Sequence, residues 1–392
     1  MNAIVSEQVP PEVLRFRAEF PIFEHLTHLA SNSKGALSRA VIAAHEEYLR
    51  TWRELGAPWD VWVAQHEALR ARFADMIGAR PHEIAICPSV SVAFGALASA
   101  LEWRQRPGIA LDDFCFPSIA YLWHAQSARG AQVRPVHADE ADEIRPEAFA
   151  EVVDSSCQLV SVAHVCYRNG HSLDLEAVGR IAHDAGAIFV VDDYQSCGSR
   201  PIDVRAADID VLATGTVKFL LGSAGVALLY VKEELLERLH PTVTGWFGQS
   251  NPNDFQIERH LEAPDAGRFQ SGTPAIPAVY DSLAGIELIS SVGLANIGGW
   301  IDHLTALLVE RLDSEGFAVA TPRDPERRGP QVAVKTRDMS EAVEQLARRD
   351  VVVTSRDDNI RSAFHYYNTP ADIDALMTAL DEIRPLMVER ER

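Results

Sequence analysis

An acid and an amine 26 residues apart in the middle of the chain set the chemistry to look for. The run Phe189-Val-Val-Asp192-Asp-Tyr-Gln195 ends an apolar stretch on a carboxylate, and in open α/β sheets ligands bind outside the carboxyl ends of the strands. Such an acid calls for a cationic partner. Thr214-Gly-Thr-Val-Lys218-Phe-Leu-Leu-Gly222-Ser-Ala-Gly225 offers one lysine among apolar neighbours and a glycine-rich turn. Burial there disfavours the ammonium form, and an amine so depressed is a nucleophile suited to Schiff-base formation. Taken singly, a strand-end Asp is most often a cap or ion-pair partner and a Lys most often solvated. Their weight comes from the company they keep.

Several other segments bear on that company. Pro88-Ser89-Val90-Ser91 follows the apolar run Ile84 to Cys87 and precedes a helix expected to begin near Val92; a helix N-terminus offers free amides and a favourable dipole to a phosphate. Phe114-Cys-Phe116-Pro-Ser-Ile-Ala-Tyr121-Leu-Trp123 is rich in aromatic residues, and Arg268-Phe-Gln-Ser271-Gly-Thr273-Pro combines a cation with hydroxyls. Arg361-Ser-Ala-Phe-His365-Tyr-Tyr367-Asn368-Thr369 holds an arginine, whose planar fork of donors matches a carboxylate. Tyr167-Arg168-Asn169-Gly170 and Ser31-Asn32-Ser33 read as turns.

Together these segments resemble the class V aminotransferase family of fold-type I pyridoxal-phosphate (PLP) enzymes, which includes cysteine desulfurases, kynureninases and isopenicillin-N-epimerase-like proteins. A PLP site needs an amine, an acid for the pyridine nitrogen, phosphate donors and a ring-stacking group at once. The resemblance implies Lys218 as the Schiff-base lysine, with Asp192 on the pyridine nitrogen and Gln195 on the ring hydroxyl. It puts Phe116 over the ring and the phosphate on Val90 and Ser91. The Thr273 stretch reaches the phosphate of a neighbouring subunit, which implies a homodimer with shared sites. Arg361 receives the substrate carboxylate, and Asn32 lies in the turn that assists it. The chain departs from the family's pattern beside the lysine, where Val217 replaces a frequent His or Tyr and Gly215 stands in place of a hydroxyl. Thr214 or Thr216 is then expected to take over that phosphate contact.

The elements that must position these residues are of the α/β class. From about Pro81 to Tyr230, short β-branched runs alternate with amphipathic stretches, the pattern of βαβ units and a mostly parallel sheet. Leu159 to Val165, Ala187 to Val191 and Gly225 to Val231 read as buried strands, and Leu175 to Ala185 as a helix closed by Gly186. Ala36 to Ile77 is expected to be largely helical. Beyond Pro277 come a helical tract over Ala278 to Ser314, short strands at Ala318 to Ala320, Gln331 to Val334 and Val351 to Thr354, and a last helix over Pro370 to Glu391. The expected architecture is the fold-type I fold: a large PLP-binding domain over 22–277 with a mostly parallel sheet, and a smaller α/β domain from 1–21 and 278–392.

Composition narrows the function. With 47% hydrophobic and 23% charged residues the chain is of the ordinary globular kind, without the long uncharged run of a membrane span. A formal charge of -20 opposes nucleic-acid binding, and the densest basic stretch, Arg323 to Arg328, carries Asp324 and Glu326 as well. Five scattered cysteines without a CxxC pair fit neither a disulfide framework nor a metal site. Met1 to Phe20 lacks the basic start and apolar centre of a secretory signal, so a cytoplasmic location is expected.

The resemblance implies an amino-acid substrate that displaces Lys218 from the cofactor and reacts through an alpha carbanion, with Lys218 moving the proton. Persulfide-forming desulfurases need a cysteine before the C-terminal arginine, and Val351 to Arg361 has none. The Gly272-Thr273-Pro and Tyr367-Asn368-Thr369 signatures resemble the lyase and epimerase branch more than dedicated transaminases, and beta-elimination from a cysteine-like substrate is the expected reaction. Transamination, epimerisation and kynureninase-like cleavage stay open, with Tyr121, Trp123, Trp246 and His365 as candidate selectors. A catalytically silent scaffold is disfavoured by the presence of Lys218, Asp192 and Arg361, and an oxidoreductase by the lack of a dinucleotide fingerprint.

Overall fold

The apolar runs of the middle of the chain assemble into one seven-stranded sheet. In the computed structural model, which describes residues 9–255 and 257–390, its strands are β1 (Ile84–Cys87), β2 (Gly108–Asp112), β3 (Gln132–Val136), β4 (Cys157–Ala163), β5 (Ile188–Asp192), β6 (Val211–Gly215) and β7 (Ala227–Val231). The order across the sheet is β1-β7-β6-β5-β4-β2-β3. Only β7 runs against its neighbours β1 and β6; the remaining pairs are parallel. Strand side chains alternate between faces, and both faces are apolar here. Ile86, Val160, Phe189, Val191, Leu212 and Leu228 pack into one core cluster, while Ile109, Leu159, Val190, Ala213 and Leu229 pack into another. A parallel sheet covered on both sides needs such uninterrupted runs.

Register then gathers the chemistry at one edge. Ala163 pairs with Asp192, and Asp192 with Ala213, so the ends of β4, β5 and β6 open side by side. Helix α3 (Val90–Ser99) leads away from the same edge after β1. It begins two residues earlier than expected because Ser89 caps it, accepting from the Val92 N–H at 3.2 Å.

The helical region over 36–77 is two helices. Ser38 caps α1 (Arg39–Leu55); Gly56-Ala57-Pro58 ends it, and α2 (Trp59–Met76) follows. Helix α4 (Leu175–Asp184) carries Asp174 as its cap. The tract beyond Pro277 is likewise two helices, α5 (Ile276–Val292) and α6 (Leu294–Ser314), bent by 80° at Gly293. Gly293 sits at φ +85°, a left-handed conformation that ends helices. Among the described residues no single helix is long and apolar enough to cross a membrane. Helix α5 packs against α1 and α2, and its Gly285 meets the turn after Lys218 so closely that a Cβ there would stand 2.4 Å from the Leu220 carbonyl oxygen.

The C-terminal part holds a three-stranded antiparallel sheet of β8 (Gln331–Lys335), β9 (Thr354–Arg356) and β10 (Asn359–Ala363), in the order β9-β10-β8. The strand expected at 318–320 reduces to a single bridge between Val319 and Val334. Val351–Val352 pairs instead with Thr27–His28. The last helix is Pro370–Glu382 and stops short of the expected Glu391, itself outside the described residues; Pro385 lacks the N–H to continue it, and a tight turn at Arg384–Leu386 follows. The N-terminal reading over Met1 to Phe20 lies outside the described residues for 1–8; the helix Pro11–Arg17 is tied to the C-terminal helix by Arg17, which donates to both Asp372 carboxylate oxygens at 2.8 and 3.0 Å.

Candidate active site

Strand β5 ends by placing Asp192 in a pocket lined by Phe114, Phe116, Ala163, Tyr167, Gln195 and Lys218, with Tyr194 forming part of the wall. The carboxylate is 6% exposed and takes the Tyr194 backbone N–H at 3.0 Å. Burial pushes this carboxyl up to about 6, while that hydrogen bond and the Lys218 charge pull against the rise. Lys218 is half-buried. Burial brings its amine down to about 8, with Asp192 supporting the charged form and Arg361 opposing it. Each group feels the other's charge, yet no ion pair of 4.0 Å or less joins them among the described residues. Two opposite charges thus face one pocket with room between them.

Behind the acid lies a second buried carboxyl, Asp112 at the end of β2, which accepts from the Ala163 N–H at 2.8 Å. Burial pushes it up to about 7, helped by Asp192. Asp193 turns to the opposite side, where it meets His164 Nδ1 at 2.6 Å and accepts from the Ser196 hydroxyl.

The other expected residues divide into two groups. Gln195 donates from Nε2 to the Asn32 carbonyl at 3.3 Å, and its Oε1 is buried without a partner. Asn32 donates to Gln331 Oε1 at 2.6 Å and accepts from Thr354 Oγ1 at 3.1 Å. Gln331 in turn donates to the carbonyls of Cys166 and Tyr167, both at 3.1 Å. Arg361 donates to that same Tyr167 carbonyl, while its Nε is buried and unpartnered. Burial lowers its guanidinium to about 10, and Arg356 adds to the fall. Phe116 is 40% exposed and edge-on to Tyr167 at 5.2 Å. Ser91 is exposed beside Val90 at the start of α3.

The second group points elsewhere. Thr214 hydrogen-bonds to the carbonyls of Asp193 and Gly215, and Thr216 to that of Ser223 while accepting from Ser282. Thr273 is exposed on a loop facing Pro88 and Phe247, away from the Lys218 pocket. Arg268 is buried against the carbonyls of Leu236 and Ala263. His365 is also a packing residue: it stacks on Tyr367 at 4.9 Å, its Nε2 meets the Phe219 carbonyl at 3.0 Å, and burial lowers it to about 4. Trp123 is buried and donates to Ser161 at 2.9 Å, whereas Tyr121 is 71% exposed. Tyr367 holds Ser31 at 2.7 Å and Asn368 donates to the His28 carbonyl at 2.9 Å, so that signature staples the N-terminal turn in place. Sequence reasoning missed Gln331, the polar hub of the site, and Tyr194, whose ring carries the Lys218 amine 4.1 Å from its centroid. The position of Tyr194 inside the Asp192–Gln195 motif was the available signal.

The site combines a depressed amine, a buried acid across the pocket, a partly exposed aromatic ring, and unpaired buried polar atoms on Gln195 and Arg361. The Aminotransferase class-V family matches residues 29–376, and the chain belongs to that family of enzymes, whose cofactor is pyridoxal phosphate. The chain is 34% identical over 370 residues to the uncharacterized aminotransferase YcbU of Bacillus subtilis, covering 94% of this chain and 96% of that one. It is 30% identical to a kynureninase of Deinococcus radiodurans over 86% and 84% of the two chains. Among solved structures, the apo cysteine desulfurase of Thermococcus onnurineus NA1 superposes with a TM-score of 0.86 at 23% identity, covering 97% of this chain and 99% of that one. The cystine C-S lyase C-DES, in complex with its product cysteine persulfide, gives 0.85 at 22% identity over 92% and 98%. These two structures share the fold-type I architecture with this chain.

The lowered amine predicts how cofactor attachment responds to pH. The rate at which PLP attaches covalently to apoprotein should rise with pH about a midpoint near 8, the pH at which Lys218 loses its proton. Asp192→Asn removes a charge that favours the ammonium, so the midpoint should fall further. A wild-type midpoint near the ordinary 10.5 of a lysine would contradict the site's electrostatics.

Proposed function

We propose that the enzyme carries PLP on Lys218 and catalyses beta-elimination from a cysteine-like amino acid. The supporting observation is that the pocket offers one amine, Lys218, and no thiol. All five cysteines are buried, and the β9–β10 hairpin bearing Arg361 has none. A sulfur leaving the substrate therefore has no cysteine to receive it and departs in the product.

In this reading Asp192 holds the pyridinium, Gln195 the ring hydroxyl and Phe116 the ring face, while the amides of Val90 and Ser91 hold the phosphate. PLP supplies an electron sink for the pair left at the substrate's Cα. Arg361, turned inward by Tyr167, takes the substrate carboxylate, and its unpaired Nε is part of the fork that does so. Lys218 Nζ takes the proton from Cα. The Cβ–S bond then breaks with its electron pair going to sulfur, which leaves as a thiol once protonated, and a Cα=Cβ double bond forms. Water converts the released enamine to pyruvate and ammonia.

A homodimer fits the surface. Ile42, Leu49, Trp52 and Leu55 recur at helical spacing on α1 and are 38–57% exposed, with Leu37, Trp59 and Val61 nearby. An exposed apolar stripe of this kind marks an interface, and a second copy is the partner that a class V site requires if Thr273 is to reach a phosphate. The five buried free thiols suit the reducing cytoplasm.

Two experiments test these readings. With the holoenzyme and a panel of cysteine derivatives, alanine and kynurenine, pyruvate, ammonia and thiol should form together from the cysteine derivatives, and Lys218→Ala should lower turnover by about 10²–10⁴-fold. Cleavage of kynurenine would favour the activity of the Deinococcus relative, and keto acids that retain their beta substituent would favour transamination. Light scattering should give twice the chain mass, and Leu49→Glu with Trp52→Glu should yield a folded monomer with weakened cofactor binding. A wild-type monomer with full activity would remove the dimer.

A further inference from the structure

Tyr194 touches both charges of the site. Its backbone N–H donates to Asp192 at 3.0 Å, and its ring lies under the Lys218 amine with Nζ 4.1 Å from the centroid; Phe116 lies farther off at 5.8 Å. The ring reaches that place because residue 215 has no side chain. A Cβ on Gly215 would stand 2.1 Å from Tyr194 Cζ, 2.2 Å from its hydroxyl oxygen and 2.4 Å from Cε2, all far inside contact distance. Gly215 is not among the glycines with positive φ, so its backbone conformation does not require glycine, and the nearest obstacle to a side chain is the tyrosine ring. It is the last residue of β6, and glycine in a strand marks a close approach of another group. A cation is attracted to an aromatic face, most strongly when shielded from water, and the half-buried amine here has the Tyr194 and Phe116 rings beside it.

We propose that Tyr194 is a positioning residue for Lys218: its ring face is the seat on which the amine rests whenever it is not bonded to the cofactor, and Gly215 is bare so that the ring can fill that space. The inference rests on the reading of Lys218 as the cofactor-bearing lysine. A seat of this kind serves a lysine that must detach, take the proton from Cα and stay within reach. The face stabilises the ammonium that results, and the Asp192 charge across the pocket does the same.

The test compares wild type, Tyr194→Phe, Tyr194→Leu and Gly215→Ala in two measurements: the pH midpoint for PLP attachment to the apoprotein, with the attached lysine identified by peptide mapping, and kcat and KM for the amino acid turned over. Tyr194→Phe keeps the face and should behave as wild type in both. Tyr194→Leu removes the face, which disfavours the ammonium and should lower the midpoint by about 0.5–1.5 pH units, with kcat reduced and KM little changed. Gly215→Ala should do the same by displacing the ring, and it provides an independent route should Tyr194→Leu fail to fold. The double variant should add nothing further. An unchanged midpoint in Tyr194→Leu and Gly215→Ala, with PLP on Lys218, would overturn the seat while leaving the cofactor assignment intact. An equal loss in Tyr194→Phe would move the role to the hydroxyl and overturn it too. PLP attached to another lysine in wild type would end both readings.

Discussion

The structure turns on two opposite charges held in one pocket without touching. A direct ion pair between Asp192 and Lys218 would neutralise both and close the space between them. Held apart, each remains poorly solvated: the acid is lifted to about 6 and the amine lowered to about 8. Burying separated charges is unfavourable, so the separation has to be enforced by the backbone. The Ala163–Asp192–Ala213 register enforces it on the side of the acid. On the side of the amine, the turn after β6 is clamped: the Gly222 N–H donates to the Thr216 carbonyl at 2.8 Å, and α5 lies against it through Gly285. Leu221 in that turn is held at φ +58°, a left-handed conformation that a branched side chain adopts only when its surroundings demand it.

A different set of contacts surrounds Arg361 and Asn32. Arg361 comes from the C-terminal sheet, and Asn32 from the N-terminal turn. Gln331 ties Asn32 to the Tyr167 carbonyl, and Arg361 donates to that carbonyl directly. This end of the site is therefore built by segments more than 100 residues apart in sequence that meet at the Tyr167 carbonyl. Movement of the C-terminal part would carry Arg361, Thr354 and Gln331 together, because β8, β9 and β10 form one sheet.

What could be read from the sequence was local. Asp192 stands at the end of an apolar strand and Lys218 among apolar neighbours, and burial followed from those surroundings. The alternation of strands and helices was similarly visible. The tracts over 36–77 and 278–314 are helical as expected, each divided near a glycine, Gly56 or Gly293, whereas the last helix, expected to reach Glu391, ends at Glu382 ahead of Pro385. The rest depended on pairings that no local pattern encodes. Tyr194 and Gly215 make sense only once β5 and β6 lie side by side and the ring is seen in the space a side chain would take. The Tyr367-Asn368-Thr369 signature, which leaned the reading toward one reaction, is bonded to the N-terminal turn, and His365 is stacked in the core. Gly215 departs from the family's pattern beside the lysine, and the ring that fills its space comes from 21 residues earlier, at Tyr194.

The account stands on Lys218 as the covalent anchor of the cofactor, and borohydride reduction of the PLP-loaded protein followed by peptide mass analysis tests it most directly. The structure predicts one phosphopyridoxylated peptide containing Lys218, absent from Lys218→Ala. Label on a different lysine, or the same labelled peptides in the variant as in wild type, would contradict the site described here.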